Sequence, residues 1–354
     1  MQYANHENPL GTDGFEFVEF TAADSHSLDA IANHFTRLGF AEIAQHRHKA
    51  VFLFRQGRIN FILNGEAHSQ ASQFAKQHGP SVNAIAFQVH DITKALAHVR
   101  TLGIEIIDAK CGPMELNIPA IEVVGGALLY LVERAAKTDI YAVDFEFYPD
   151  WQQRLASTDR GLGEIDHLTH NVFMGHMDQW ADFYTRLANF REIRHFDIDG
   201  KATGLLSRAM ISPCGKIKIP INESKDNHSQ IAEYLRQYHG EGIQHIALTT
   251  EAIFDSVAKM RRAGVPFMNT PSTYYELLST RLPNHQESLE MLKSQQVLID
   301  GDDSGVLLQI FTDTLIGPIF FEVIQRKGNQ GFGEGNFKAL FESIELDQIR
   351  RGVI

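Results

Sequence analysis

The sequence predicts an α+β protein of two domains, each built from a pair of βαβββ units that close into an open, half-barrel mixed sheet. Three observations lead to this fold class. The order of one strand, one helix and several strands recurs four times in 354 residues. Each helix ends near Gly or Asn, and the later strands alternate apolar and polar side chains. The domains are expected at residues 1–150 and 151–354, with the boundary in DWQQRLASTDRG.

The four units begin near Phe15, Val82, Ile165 and Ile243, with the opening strands FEFVEF, VNAIAFQVH, EIDHLTHNVF and IQHIALTT. The helices that follow end in RLGF, TLGI, RLANF and RAGV, where Gly or Asn adopts the left-handed conformation at low cost. Alternating strands come next: AVFLFRQGRINFILNG, AIEVVGGALLYLVE, GLLSRAMISPCGKIKIPINE, and VLLQIFTD with PIFFEVIQR. One unit cannot cover both faces of its sheet, so the units are expected to pair. Two unrelated α+β domains that are similar by coincidence are the alternative.

The composition limits the class of protein. The chain is 44% hydrophobic and 21% charged, and its net charge of −12 argues against a nucleic-acid surface, which needs clustered Lys and Arg. Two cysteines suit a reducing compartment. No apolar run approaches the roughly 20 residues of a membrane-spanning helix, and the N-terminus lacks the pattern of a secretion signal. We therefore expect a soluble, cytoplasmic protein that binds neither nucleic acid nor membranes.

The candidate metal ligands lie on equivalent strands of the C-terminal half. His167 and His245 occupy the same place in the opening strands of units three and four, where units one and two have about Val18 and Ala84, which cannot bind a metal. Glu322 interrupts the apolar strand PIFFEVI, and a buried carboxylate is costly unless it is paired or bound to a cation. Two His and one carboxylate on separate strands form the facial triad of non-haem iron(II) oxygenases. Ordinary core histidines are the alternative.

Three other histidines are close in sequence to these ligands. We assign His170, His176 and His195 to the surface or to positions behind the ligands. The first half of the chain has no ligand set and is expected to be a structural duplicate of the catalytic half.

Taken together, several segments resemble the 4-hydroxyphenylpyruvate dioxygenase family of the vicinal oxygen chelate superfamily. They are IDHLTHNV, PINES, SQIAEYL, GIQHIAL, PSTYYELL, LLQIFT, PIFFEVIQRKG and GFGEGNF. The resemblance covers essentially all of the C-terminal half and is weaker in the N-terminal half.

The resemblance implies one Fe(II) per chain, bound by His167, His245 and Glu322. It implies that 4-hydroxyphenylpyruvate chelates the iron through its α-keto acid, with O₂ as co-substrate. Decarboxylation of this substrate supplies two electrons, so 2-oxoglutarate is not needed. The ring is then hydroxylated, the side chain migrates, and homogentisate and CO₂ leave. The family also suggests a homo-oligomer, either a dimer or a tetramer.

The resemblance also implies a substrate pocket with a polar network and apolar walls. The network comprises Ser207, Asn222, Gln230, Gln244 and Gln309, of which Asn222, Gln244 and Gln309 are also taken as catalytic. The walls comprise Pro220, Phe311, Phe320, Phe332, Gly333 and Phe337. Ordinary packing is the alternative for each of these residues. A C-terminal helix, hinged at the glycines of GFGEGNF, is expected to cover the site.

Three other functions stay open at this point. Hydroxymandelate synthase uses the same substrate and metal but hydroxylates the benzylic carbon, and Pro220 with Phe311 favours the dioxygenase. An extradiol ring-cleaving dioxygenase fits the glutamine-rich pocket poorly. A metal-free binding module would hold no iron and take up no oxygen.

Overall fold

The protein consists of two mixed β-sheets of eight strands each. The computed structural model describes residues 6–107, 115–133, 140–199, 204–336 and 339. The first sheet has the strand order β6-β7-β5-β1-β4-β3-β2-β8, and the second has the order β10-β11-β12-β9-β13-β16-β15-β14. When the second order is read from its last strand to its first, equivalent strands of the two sheets follow one another in the same sequence, as expected for a duplicated pair of units.

The first sheet and its helices occupy the N-terminal half. Their bounds are β1 Thr12–Thr21, α1 Ser25–Leu38, β2 Ala41–His46, β3 Val51–Gln56, β4 Ile59–Asn64, α2 Gln70–His78, β5 Ser81–Val89, α3 Ile92–Thr101, β6 Ala120–Glu122, β7 Leu128–Glu133, α4 Ile140–Asp144, β8 Phe145–Phe147 and α5 Trp151–Thr158. Unit two has two named strands after its helix, and Ile107 adds an isolated bridge to Ala120.

The second sheet repeats this arrangement with longer strands and three extra short helices. Its bounds are β9 Leu162–Val172, α6 Met177–Ala188, β10 Arg191–Asp199, β11 Gly204–Ile211, β12 Lys218–Ser224, α7 Gln230–Tyr238, β13 Gly242–Thr250, α8 Ile253–Arg262, α9 Ser272–Glu276, α10 Leu278–Arg281, α11 Leu289–Gln295, β14 Leu298–Asp302, β15 Gly305–Phe311 and β16 Phe320–Lys327.

The predicted α+β fold of two domains with mixed sheets is confirmed, and one of the two eight-stranded sheets is a curled half-barrel. The first helices of units one and three end at Gly39 and Asn189, both in the left-handed conformation, as the sequence predicts. In units two and four the positive φ angle falls on Gly103 and Gly264, just after the helix. The repeat pattern did not include α2 and α7, which follow units one and three.

The polar stretch expected at the boundary contains α5, whose Trp151 and Leu155 pack against the core of the first sheet. The next strand of the second sheet begins at Leu162. The division at residue 150 stays a prediction, because α5 connects the two halves while packing on the first.

One hydrophobic cluster joins the two sheets. Phe321 of β16 is fully buried, and its ring lies 6.4 Å from that of Phe20 and 5.9 Å from that of Phe61, both in the first sheet. The second sheet is therefore held against the first by aromatic side chains, which bury large apolar areas.

The inner faces of the two sheets differ. That of the first is filled by a second cluster that includes Phe17, Ile62, Tyr141 and Phe145. That of the second surrounds a cavity of about 340 Å³. None of the described helices has the length and apolar character needed to cross a bilayer.

Candidate active site

Three buried side chains converge in the cavity of the second sheet. The central strand β13 pairs antiparallel with β9 and parallel with β16, and this places Ala247 opposite both His167 and Glu322. His245, two residues before Ala247, points to the same face because side chains alternate along a strand. Glu322 Oε2 lies 3.2 Å from His167 Nε2 and 3.6 Å from His245 Nε2. One ligand atom from each of the three residues lies within 4.8 Å of the others.

The donor set fits a divalent metal ion. Glu322 is 2% exposed, and its Oε1 atom has no hydrogen-bond partner among the described residues. A buried carboxylate with a free oxygen costs free energy unless a cation binds there. Two imidazoles and one carboxylate, with the rest of the coordination sphere left to the cavity, match the facial triad of non-haem iron.

A buried ion-pair network holds the His167 ring from behind. Asp166 Oδ1 lies 2.8 Å from His167 Nδ1. Arg326 donates to both carboxylate oxygens of Asp166, from Nε and Nη2, each at 2.8 Å, and Lys218 Nζ lies 3.2 Å away. A carboxylate that accepts the second N–H of a ligating histidine fixes the tautomer and orientation of the ring.

The charges around the two histidines differ. Burial alone would raise the pKa of Asp166, but the Arg326 and Lys218 charges hold it well below its usual range. Burial opposes a charge on His167, yet the carboxylates of Glu322 and Asp166 raise its pKa. Burial and the neighbouring His167 lower the pKa of His245 well below its ordinary value. The site therefore favours added positive charge between His167 and Glu322, which a bound cation would supply.

His245 is held by two polar groups and one aromatic ring. Its Nδ1 lies 3.1 Å from Gln244 Oε1, and its Nε2 lies 2.9 Å from the Thr169 hydroxyl. The Phe320 ring stacks on it at 4.8 Å between centroids. The contacts with Gln244 and Phe320 orient the imidazole, and a metal bound at Nε2 would displace the Thr169 hydroxyl.

The structure places most of the sequence-predicted pocket residues around one cavity. Those that line it are Ser207, Pro220, Asn222, Gln230, Gln244, Phe311, Phe320 and Phe332, together with the three candidate ligands. Phe332 belongs to the tail motif, and its ring lies 5.4 Å from the His167 ring. Phe337 lies outside the described residues.

Gln309 and Gly333 lie beside the cavity and touch each other. Gln309 is 1% exposed, and its Oε1 has no partner among the residues that the structure describes. A β-carbon added at Gly333 would lie 2.0 Å from that Oε1 atom. The close approach of the tail backbone to Gln309 therefore requires glycine here.

The structure corrects one expectation about neighbouring positions and narrows another. The strand register matches Phe17, rather than Val18, with His167, because Phe17 pairs with Ala86 as His167 pairs with Ala247. Of the two placements expected for His170, the surface is excluded: the residue is 1% exposed and stacks on Tyr184 under α6, and burial lowers its pKa to about 3.

Sequence reasoning missed several residues of the site. The ion-pair partners Asp166 and Arg326 each stand beside or near a proposed ligand in an apolar strand, and that pattern could have indicated them. Thr169 is two residues from His167 on the same strand face. Other lining residues gave no signal because they come from loops and edges: Phe196, Leu205, Met268, Asn269, Thr270, Gln296 and Glu334.

Several known proteins are similar to this chain over nearly its whole length. The chain is 61% identical to hemolysin VllY of Vibrio vulnificus over 98% of both chains. It is 59% identical to 4-hydroxyphenylpyruvate dioxygenase of Pseudomonas aeruginosa, over 98% of this chain and 97% of that one. The chain belongs to the 4-hydroxyphenylpyruvate dioxygenase family.

Two family models divide this dioxygenase-family chain between its sheets. The model for the N-terminal domain of hydroxyphenylpyruvate dioxygenase matches residues 6–146. The glyoxalase/bleomycin resistance protein/dioxygenase superfamily model matches residues 164–282. Among solved structures, a triple mutant of 4-hydroxymandelate synthase from Streptomyces coelicolor superposes with a TM-score of 0.79 at 25% identity, over 95% of this chain and 99% of that one.

Proposed function

We propose that this protein is an iron(II)-dependent dioxygenase that converts 4-hydroxyphenylpyruvate and O₂ to homogentisate and CO₂. The observation that carries the proposal is the convergence of His167, His245 and Glu322 in one mostly apolar cavity. The relative of this activity in Pseudomonas aeruginosa is 59% identical over nearly the whole chain.

We assign His167 Nε2, His245 Nε2 and one oxygen of Glu322 as the protein ligands of a single Fe(II) per chain. Bound iron would supply a Lewis-acidic centre with open positions for the α-keto acid and for O₂. The orphaned Oε1 of Glu322 supports this assignment, since no described side chain compensates its burial. No 2-oxoglutarate is required, because the substrate carries its own α-keto acid.

The polar side chains of the cavity orient the substrate. Ser207 and Asn222 are directly opposite each other on β11 and β12, and Gln230 begins α7 beside them. Gln244 both lines the cavity and contacts His245, so it links substrate position to ligand position. We assign Gln244, Gln309 and Asn222 to hydrogen bonds with the substrate's oxygen atoms.

Apolar side chains hold the aromatic ring and exclude water. Phe311 and Phe320 pack edge to face, with centroids 5.9 Å apart, and Pro220 lies on the facing wall. An apolar lining strengthens the few polar contacts and limits the access of solvent to a reactive centre. Phe332 closes the side of His167, and we propose that Gly333 allows the tail to pack there.

The deciding experiment is anaerobic reconstitution with Fe(II), followed by 4-hydroxyphenylpyruvate and O₂, with products identified by mass spectrometry. We expect homogentisate with one CO₂ per O₂ consumed. Hydroxymandelate as the product would move the chain to the synthase reaction and keep the metal site. Bound iron without turnover would refute the assignment of the substrate, and a protein without bound iron would refute the assignment of the metal ligands.

The assembly is a separate proposal. We propose a homo-oligomer, either a dimer or a tetramer, on the strength of the family resemblance. Light scattering coupled to gel filtration measures the mass directly, and a 39.8 kDa particle would contradict the proposal.

A further inference from the structure

A buried carboxyl group lies inside the first sheet, far from the proposed catalytic site. Glu19 of β1 is 7% exposed and accepts hydrogen bonds at Oε1 from Asn64 Nδ2 (2.8 Å) and Asn83 Nδ2 (2.7 Å). Asn83 Nδ2 also lies 3.3 Å from Gln70 Oε1. Two side-chain amides from different strands thus donate to one carboxyl group, and a third amide, from α2, accepts from one of them.

The three amides are the counterparts of three residues that line the active-site cavity. In the β1–β5 pair the register skips Asn83 directly after Glu19 meets Ala84. In the β9–β13 pair it skips Gln244 directly after Thr169 meets His245. Asn83 therefore corresponds to Gln244, and Glu19 corresponds to Thr169.

The other two amides follow from the neighbouring elements. Asn64 is opposite Thr21 in the β1–β4 pair, as Asn222 is opposite Asn171 in the β9–β12 pair. Gln70 is the first residue of α2 after the capping Ser69, and Gln230 is the first residue of α7 after the capping Ser229. The two glutamines therefore begin equivalent helices.

The metal positions are not duplicated. By the same registers, the counterparts of His167, His245 and Glu322 are Phe17, Ala84 and Tyr130. The first sheet therefore carries amides at the positions of three amides that line the cavity of the second sheet, and has no metal-binding side chain at the positions of the three candidate ligands. A carboxyl group projects into these amides from Glu19, where the second sheet has only the short side chain of Thr169.

We infer that the first sheet contains a second carboxylate-binding site, formed by Asn64, Asn83 and Gln70, and that Glu19 is its built-in ligand. The ligand class of the emptied site is a small monocarboxylate. Lys49 adds positive charge near Glu19, and Asn83 is fully buried with its Oδ1 unpartnered among the described residues. The hydrogen bonds to Glu19 therefore do not use all of the polar atoms at this site. The inference does not depend on the reaction proposed for the second sheet.

The test is chemical rescue of Glu19→Ala by acetate. This substitution removes one CH₂ group and the carboxylate, which acetate can replace. Calorimetry at neutral pH, in sodium acetate and in sodium chloride of equal ionic strength, measures the thermal midpoint. At tenfold excess over its Kd, acetate should raise the Tm of the variant by about 2–4 °C more than chloride does. The wild-type protein should respond equally to both salts.

Two further variants separate a specific site from a general salt effect. Glu19→Ala with Asn83→Ala should lose the acetate response, because one of the two donors to the carboxylate is gone. Glu42→Ala removes a carboxylate that instead accepts from the Tyr148 hydroxyl at 2.5 Å, and it should show no acetate response. Equal effects of acetate and chloride on Glu19→Ala, or an undiminished response in the double variant, would overturn the inference. If Glu19→Ala does not fold in chloride, its refolding yield in acetate relative to chloride is the measurement, with the same two outcomes.

Discussion

Replacing Arg326 by Met should destabilise the protein far more than removing an ordinary surface charge. The Arg326 side chain is 12% exposed and donates two 2.8 Å bonds to Asp166, whose side chain is 4% exposed. It also donates to the Gly331 carbonyl at 2.7 Å. Met keeps most of the packing volume, so the main loss is the partner of a buried carboxylate, which costs about 3–5 kcal/mol.

The matched control is Arg58→Met. Arg58 pairs with Glu164, but the two side chains are 76% and 50% exposed, and such a pair contributes about 0–1 kcal/mol. Urea unfolding of both variants and of the wild type gives the free energies of unfolding from midpoints and slopes. An additional Asp166→Asn substitution should recover part of the loss in Arg326→Met, because it removes a buried charge that has lost both Arg326 hydrogen bonds and keeps the more distant Lys218.

The pH dependence gives a second signature. The pKa of Asp166 is held well below 3.8 in the folded protein, so this group stabilises the fold above its unfolded pKa and loses that contribution as the pH falls through the folded value. The difference between wild type and Arg326→Met should therefore shrink on acidification. A loss in Arg326→Met no larger than in Arg58→Met, at neutral pH, would refute the reasoning.

Three further predictions concern other sites. His245→Ala should lower iron affinity by more than the roughly 10–100-fold typical of lost hydrogen-bond partners of metal ligands, with an unchanged circular dichroism spectrum; full iron content in the purified variant would contradict this. Burial raises the pKa of Glu19 above 4.5, so stability should fall as the pH rises from the unfolded to the folded pKa, and Glu19→Gln should abolish that fall in urea titrations. Gly333→Ala should displace Gln309 and lower kcat/KM at least about tenfold. Gly103→Ala, also at positive φ but with open space around the added carbon, should leave kcat/KM unchanged, and similar values for both variants would exclude the Gln309 contact.

The sequence was sufficient for the fold and for the three residues that converge. The repeated strand–helix–strand order predicts the topology of both sheets, because the apolar periodicity of each unit marks its own strands and helix. His167 and His245 could be matched by their place in the repeat, and Glu322 by its apolar surroundings. Their roles as ligands stay a prediction, although the structure brings them together.

The sequence did not reveal which side chains lie behind or beside the site. Strand register is set by bulges, such as those at Asn83 and Gln244, and one residue of register error exchanged Phe17 for Val18. For His170 the sequence left a surface position and a position behind the ligands open, because a polar residue in an amphipathic strand can lie on either face, and the structure shows that α6 covers it. Contacts such as that between Arg326 and Asp166 join residues from separate units, and no local pattern specifies them.

Phe321 couples the packing of the first sheet to the position of the candidate ligand Glu322 in the second. Adjacent side chains of β16 point to opposite faces, so Glu322 faces the cavity while Phe321 is packed between Phe20 and Phe61 of the other sheet. A shift of that aromatic wedge would move the carboxylate by way of the shared backbone. Selection for the proposed metal site must therefore extend to residues of the first sheet, where Phe17, Ala84 and Tyr130 stand at the positions of the three candidate ligands, and the two halves of this duplication cannot diverge independently.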